Sequence, residues 1–167
     1  SRIASRPADR KYSPMLTVDE ALARILADVT PLPATATPLD ESLGRILAEN
    51  LSSDIDSPPH DKSMVDGYAV RIADLDTDEV ELQVNEEIMA GQVPSMEVTA
   101  GTASRVMTGA PVPAGAEGVV MVEETELEET GSGQLVRISC QQLAPGANIM
   151  TRGTSIRRGD QVLAAGR

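Results

Sequence analysis

No tryptophan and no phenylalanine occur in this chain, and its aromatic rings are confined to Tyr12 and Tyr68. Any core it makes must therefore be aliphatic. Seven methionines are available to fill irregular gaps, because a flexible thioether adapts to them. With 167 residues, the chain is long enough for one compact domain or two small ones. A chain of this length typically buries roughly 70% of the surface its unfolded form exposes, so an independent core is feasible.

The aliphatic residues are distributed with two different periods. In "TVDEALARILADV", 17–29, Val18, Leu22, Ile25, Leu26 and Val29 recur at helical spacing and predict one apolar helix face. Thr17 and Glu20 stand as a capping box, and Pro31 and Pro33 end the run. "LDESLGRILAENL" predicts a second, shorter helix with Asp40 as N-cap and Leu43, Ile46 and Leu47 buried, although Gly44 weakens it by about 1 kcal/mol. From about residue 51 the texture changes to short β-branched runs separated by Gly, Pro and Ser. Val80, Leu82 and Val84 alternate with Glu79, Glu81 and Gln83 as in a half-buried strand. "ETGSG", 129–133, reads as a hairpin turn, and the run Glu123, Glu124, Glu126, Glu128, Glu129 as a solvated strand edge. The opening residues 1–14 read as a disordered lead-in. The final "GDQVLAAGR" resembles a strand entering a turn with nothing to close it, so further chain is expected beyond Arg167. The fold class expected is α+β, mostly β: a helical N-terminal part, a β-rich middle, and a return segment that pairs with the N-terminal part.

A formal charge of −12, with the basic residues gathered toward the two ends, argues against nucleic acid and anionic membranes as partners. No run approaches the ~20 apolar residues of a membrane span, and no apolar segment follows the basic N-terminus as a signal peptide requires. Cys140 is the single cysteine, so no intrachain disulfide can form, and a reducing cytoplasm is the expected location.

Two stretches carry chemistry. "PPHDKSMVDGYA", 58–69, holds the only histidine and two aspartates. Its Asp66-Gly67 pair is first of all a turn dipeptide. A divalent cation is the alternative, since Mg2+ takes one or two carboxylates together with substrate oxygens. His60 has no second His or Cys at ligand spacing, which argues against zinc. "RVMTGAPVPAGAEGVVMVEE", 105–124, opens a Pro/Gly loop whose amides, with the Thr108 hydroxyl, could receive an anion. No Gly-Lys-Ser/Thr follows, so it is not a P-loop. A cation-dependent hydrolase using Asp61 and Asp66 would need more ligands than the loop offers.

Taken in order, "HDKSMVDGYAVR", "VMTGAPVPAGAEGVVMVEE" and "PGANIMTRG" resemble the MoeA/gephyrin E-domain family, the molybdopterin molybdenumtransferases. The lead-in "ALARILADVTPL…LDESLGRILAENLSSDIDSPP" is similar as well, so the resemblance spans about residues 15–165. It implies a cytoplasmic enzyme of molybdenum cofactor synthesis that inserts molybdate into adenylylated molybdopterin and releases AMP, assisted by Mg2+. It also implies an elongated, two-lobed arrangement. Domain I would comprise 15–55 plus 145–167, and a barrel-like β-rich domain II, 56–144, would be inserted within it. A pterin-binding domain III with a Gly-Gly-Val-Ser motif and a domain IV belong to the family and are absent from these residues. The partners implied are those later domains, a second copy in a homodimer, and the molybdopterin adenylyltransferase that acts upstream.

By resemblance, Asp66 and Thr108 are the catalytic residues, with Asp66 also the metal ligand. Asp61, Lys62, Ser63, Gly109, Arg152 and Ser155 are implied to line the substrate. The chain departs from the family at Val65, where Met is common, and at His60, where an aromatic is common. It departs again at Thr154 and Ser155, where the family has Glu and Asp after Arg-Gly. The alternative to an enzyme is a non-catalytic scaffold or regulatory module that keeps the front half of the fold. The isolated 167 residues are expected to be inactive.

Overall fold

The computed structural model describes residues 15–77, 79–131, 133–139 and 142–167. The expected lead-in and Cys140 lie outside the described residues. The chain divides between Arg45 and Ile46 into two units. In the first, helix α1 spans Val18–Ala27, close to the predicted limits. Its capping box is complete: Thr17 Oγ1 accepts from the Glu20 amide at 3.2 Å, and Glu20 Oε2 accepts from the Thr17 amide at 2.8 Å. The predicted apolar face, Val18, Leu22, Ile25, Leu26 and Val29, is exposed.

The second predicted helix does not form. A single 3-10 turn, Leu39–Glu41, takes its place, and the Ser42 hydroxyl bonds back to the Leu39 carbonyl at 2.6 Å. Gly44 adopts φ +81°, a left-handed conformation that ends a right-handed helix. Leu43 and Ile46, cast as its buried face, are exposed. Leu47, the third of that set, enters a different partnership in the second unit. Its amide donates to the Arg167 carbonyl, and its carbonyl accepts from the Gly166 amide, both at 2.8 Å. Backbone groups used in that ladder are not available to a helix.

The second unit is almost wholly β. Its strands are β1 Leu51–Ser52, β2 Lys62–Ser63, β3 Gly67–Val70, β4 Val80–Ile88, β5 Thr102–Val106, β6 Gly118–Met121, β7 Thr125–Thr130, β8 Gly133–Ile138, β9 Ile149–Met150 and β10 Gln161–Leu163. Six form one curled sheet in the order β6-β3-β5-β4-β8-β7, antiparallel except for the parallel pair β4 and β5. β6 and β7 are its two edges, so it is an open half-barrel. The predicted hairpin joins β7 to β8 in register, Thr130 opposite Gly133. β7 carries Glu126, Glu128 and Glu129 of the glutamate run on an exposed edge, while Glu123 and Glu124 lie in a 3-10 turn before it. Glu126 and Glu128 gather, together with Glu81, around Arg137. The return segment pairs β10 with β1 and β9 with β2.

Successive side chains of a strand point to opposite faces, and β3 feeds both sides of the sheet. Tyr68 and Val70 pack with Leu82, Ala103, Val120, Val136 and Ile138 on one face. Ala69 packs with Ile88, Val106, Ala110 and Val119 on the other. Burying each of the larger aliphatics fully contributes roughly 1.5–3 kcal/mol. Tyr68 is the one aromatic among the described residues and is 1% exposed. Among the described residues no helix is long and apolar enough to cross a membrane.

β3 lies between β5 and β6 with Gly67 opposite Val106 on one side and Met121 on the other. A Cβ at residue 67 would overlap the Val120 carbonyl oxygen, a main-chain atom that cannot turn aside. Gly67→Ala is therefore expected to destabilise the chain by about 3 kcal/mol or more, read as a lower urea midpoint at unchanged slope.

Candidate functional site

The Asp66–Thr108 pair follows from strand register. Asp66 immediately precedes β3 and Thr108 follows β5 by two residues. Because Gly67 faces Val106 in an antiparallel pair, those two flanks emerge side by side. Asp66 Oδ1 accepts from both the amide and the hydroxyl of Thr108, each at 2.7 Å. The aspartate main chain is fixed as well, its carbonyl accepting from the Val122 amide at 3.0 Å. The Thr108 amide, then its hydroxyl, and further off the Arg105 charge, hold the Asp66 carboxyl below the ordinary carboxylate range. Asp66 is thus an exposed, ionised carboxylate. Its Oδ2 has no hydrogen-bond partner among the described residues.

The rest of the first motif is bound to both other loops. Ser63 is buried. Its amide donates to the Ala110 carbonyl and its carbonyl accepts from the Gly109 amide, both at 2.9 Å. Its hydroxyl donates to the Val65 carbonyl at 2.6 Å. Lys62 bridges Pro111 and pairs with Met150. Asp61 joins both sides: its carbonyl accepts from the Val112 amide at 3.0 Å, and its Oδ1 from the Arg152 amide at 2.7 Å. The third motif is anchored by Asn148, which sits at φ +60° and donates its side-chain amide to the Val119 carbonyl of β6 at 2.9 Å. Its own carbonyl accepts from the Met64 amide at 2.8 Å.

The 151–158 turn is held from 56–58. The Gly153 amide donates to the Pro58 carbonyl, and the Ser155 amide to the Ser57 carbonyl, both at 2.9 Å. Arg152 donates Nε to Asp56 Oδ2 at 2.6 Å. Thr154 uses its hydroxyl within the turn, against the Thr151 carbonyl at 2.6 Å and the Thr151 hydroxyl at 2.8 Å. Ser155 is exposed, as is His60, which takes no part.

Three stretches separated by up to about ninety residues in sequence thus meet on one surface. Of the eight residues singled out in the sequence, Ser63 is buried, and the other seven lie in these stretches and are at least partly exposed. Sequence reasoning missed Asp56 and Asn148. An Asn after Pro-Gly-Ala is a recognisable candidate for a left-handed turn, whereas nothing local marks Asp56.

Among the described residues no three His, Cys, Asp or Glu side chains gather as metal ligands. The donor set excludes a closed protein cage. It does suit Mg2+, which keeps most of its water and accepts one carboxylate beside substrate oxygens, with Asp66 Oδ2 as the available ligand.

A loop-built surface bearing an ionised carboxylate, set on an open β half-barrel, is the class of site that the geometry defines. The family model for the MoeA N-terminal region (domain I and II) matches residues 16–167, and the chain belongs to that family. It is 36% identical over 154 residues to the molybdopterin molybdenumtransferase of Haemophilus influenzae, covering 91% of this chain and 37% of that one. It is 37% identical over 156 residues to that of Staphylococcus aureus, covering 90% and 36%. The fold is similar to the crystal structure of the molybdopterin biosynthesis moeA protein from Pyrococcus horikoshii OT3, with a TM-score of 0.75 and 38% identity over 88% of this chain and 39% of that one. The chain spans little more than a third of the length of these relatives.

The depressed Asp66 acidity has a signed consequence. Stabilisation from a carboxylate whose folded pKa is lowered is present above its unfolded pKa of about 3.9 and is lost as pH falls through the folded value. The melting-temperature difference between the wild type and Asp66→Asn is expected to be largest near neutrality. It should close as the solution is acidified below about pH 4.

Proposed function

We propose that this chain is the N-terminal part of a molybdopterin molybdenumtransferase, the enzyme that inserts molybdate into adenylylated molybdopterin and releases AMP in the cytoplasm. The family match across residues 16–167 carries this reading. The assembly of Asp66 and Thr108 from separate motifs supports it.

In this reading Thr108 holds Asp66 charged and oriented, with Oδ2 directed to the ligand side. Asp61, Lys62, Gly109, Arg152 and Ser155 border the substrate, and buried Ser63 fixes the loop between them. A bound Mg2+ would offset the negative charge of phosphate and molybdate groups. Domain I would comprise 15–55 plus 145–167, with domain II, 56–144, inserted within it in sequence. The pterin-binding domain III and domain IV would complete the cleft in a homodimer. The upstream molybdopterin adenylyltransferase would supply the substrate.

A second reading, a non-catalytic scaffold or regulatory module on the same fold, is favoured by one observation. Thr154 stands where the family carries an acid, and its hydroxyl is spent inside its own turn.

In a strain lacking the activity, the full-length gene should restore cofactor synthesis. Asp66→Ala in that gene should lower it by at least about a hundredfold. Undiminished complementation by Asp66→Ala would favour the scaffold. The purified 167-residue chain, supplied with adenylylated molybdopterin, molybdate and Mg2+, is expected to release no AMP; turnover there would show that the later domains are dispensable.

A further inference from the structure

Asp56 lies outside the three motifs, yet the returning turn is wrapped around it. Its side chain is 16% exposed, and its two oxygens serve different arms of that turn. Oδ1 accepts from the Arg158 amide at 2.8 Å, and Oδ2 accepts from Arg152 Nε at 2.6 Å. Gly153 lies between these arms at φ +69°. A Cβ there would stand 3.2 Å from Arg157 Cγ and 3.6 Å from Asp56 Oδ1. The main chain of Arg152 is held separately by Asp61. Two carboxylates therefore fix one arginine, at its backbone and at its head group, although its side chain is 66% exposed.

An exposed arginine ordinarily samples many rotamers, and an exposed ion pair restrains it weakly. This pair differs because its acid is largely shielded and is itself held ionised, first by the Arg158 amide and then by Arg152. Engagement through Nε leaves the two terminal nitrogens of the guanidinium without a partner among the described residues. They form a fork suited to a tetrahedral oxyanion, and fixing it beforehand lowers the ordering cost of binding.

We propose that Asp56 is a positioning residue that presets the Arg152 guanidinium to receive a phosphoryl or other tetrahedral oxyanion group of the substrate. This rests on placing Arg152 at the substrate side of the proposed transferase.

The test uses the 15N-labelled 167-residue chain and the Arg152 Nε–H resonance, assigned by its loss in Arg152→Lys. Inorganic phosphate and molybdate are titrated in separate arms. In the wild type the resonance should exchange slowly with water and shift with at least one anion. A response to phosphate alone identifies a phosphoryl site, and a response to molybdate alone identifies a site for the incoming oxyanion. Asp56→Asn keeps a carbonyl oxygen for the Arg158 amide but loses the carboxylate. It should lose the Nε–H signal and, read for every variant from the backbone amide shifts of residues 151–155, bind the responding anion about tenfold more weakly. It should have no further effect in an Arg152→Lys background. No response to either anion, or equal weakening by Asp56→Asn with and without Arg152, overturns the proposal. If Asp56→Asn also displaces the Arg158 amide resonance, Arg152→Lys alone decides, and unchanged affinity there is contrary. None of these readings depends on molybdenum insertion, so failure of the transferase reading would be seen separately.

Discussion

Everything on the candidate surface depends on the way β3 is gripped between β5 and β6. At its first residue the strand runs so close to β6 that only a residue without a side chain fits. That close approach lets one short strand of four buried residues bond on both sides and supply both faces of the core. It also fixes where β3 begins, and hence where Asp66 must stand. A shift of one residue would exchange Tyr68 with Ala69 between two cores of different size, so packing pins the position of the carboxylate.

The electrostatics follow the same economy. Over a body with a formal charge of −12, most acidic groups repel one another and stay in water. Asp66 and Asp56 are held ionised by main-chain amides that come to them, from Thr108 and Arg158 respectively. Hydrogen bonds to the charged form favour ionisation without requiring burial. The arginines nearby add to this, but the amides are fixed by the fold and are not screened away as a mobile surface charge would be.

What the sequence revealed tracks the range of the interactions involved. The capping box of Thr17 and Glu20, the alternation in β4 and the turn at 129–133 are settled by neighbours, and all were legible. The second helix was misread because its pattern was local while the decisive partner was not. Leu47 pairs its backbone with the last two residues of the chain. Asp66 and Thr108 could be chosen only through resemblance, since an Asp-Gly turn and a Thr-Gly loop are individually common. Their contact needed the β3–β5 register. Asp56 left no trace because its partners lie about a hundred residues downstream and its neighbours Ser, Ile and Asp are unremarkable.

The distances along the chain set a timetable for the site. Asp61 and Asp56 obtain their partners from residues 152 and 158, so both carboxylates are complete only after nearly all of these residues have been synthesised. A loop of that size costs little more entropy to close than one half as long, but contacts so distant in sequence form slowly. On the ribosome the curled sheet has its strands in hand while the clamp on Arg152 is still missing. The candidate surface is therefore completed late, and a chain arrested short of its return segment would carry the curled sheet beneath an unfinished surface.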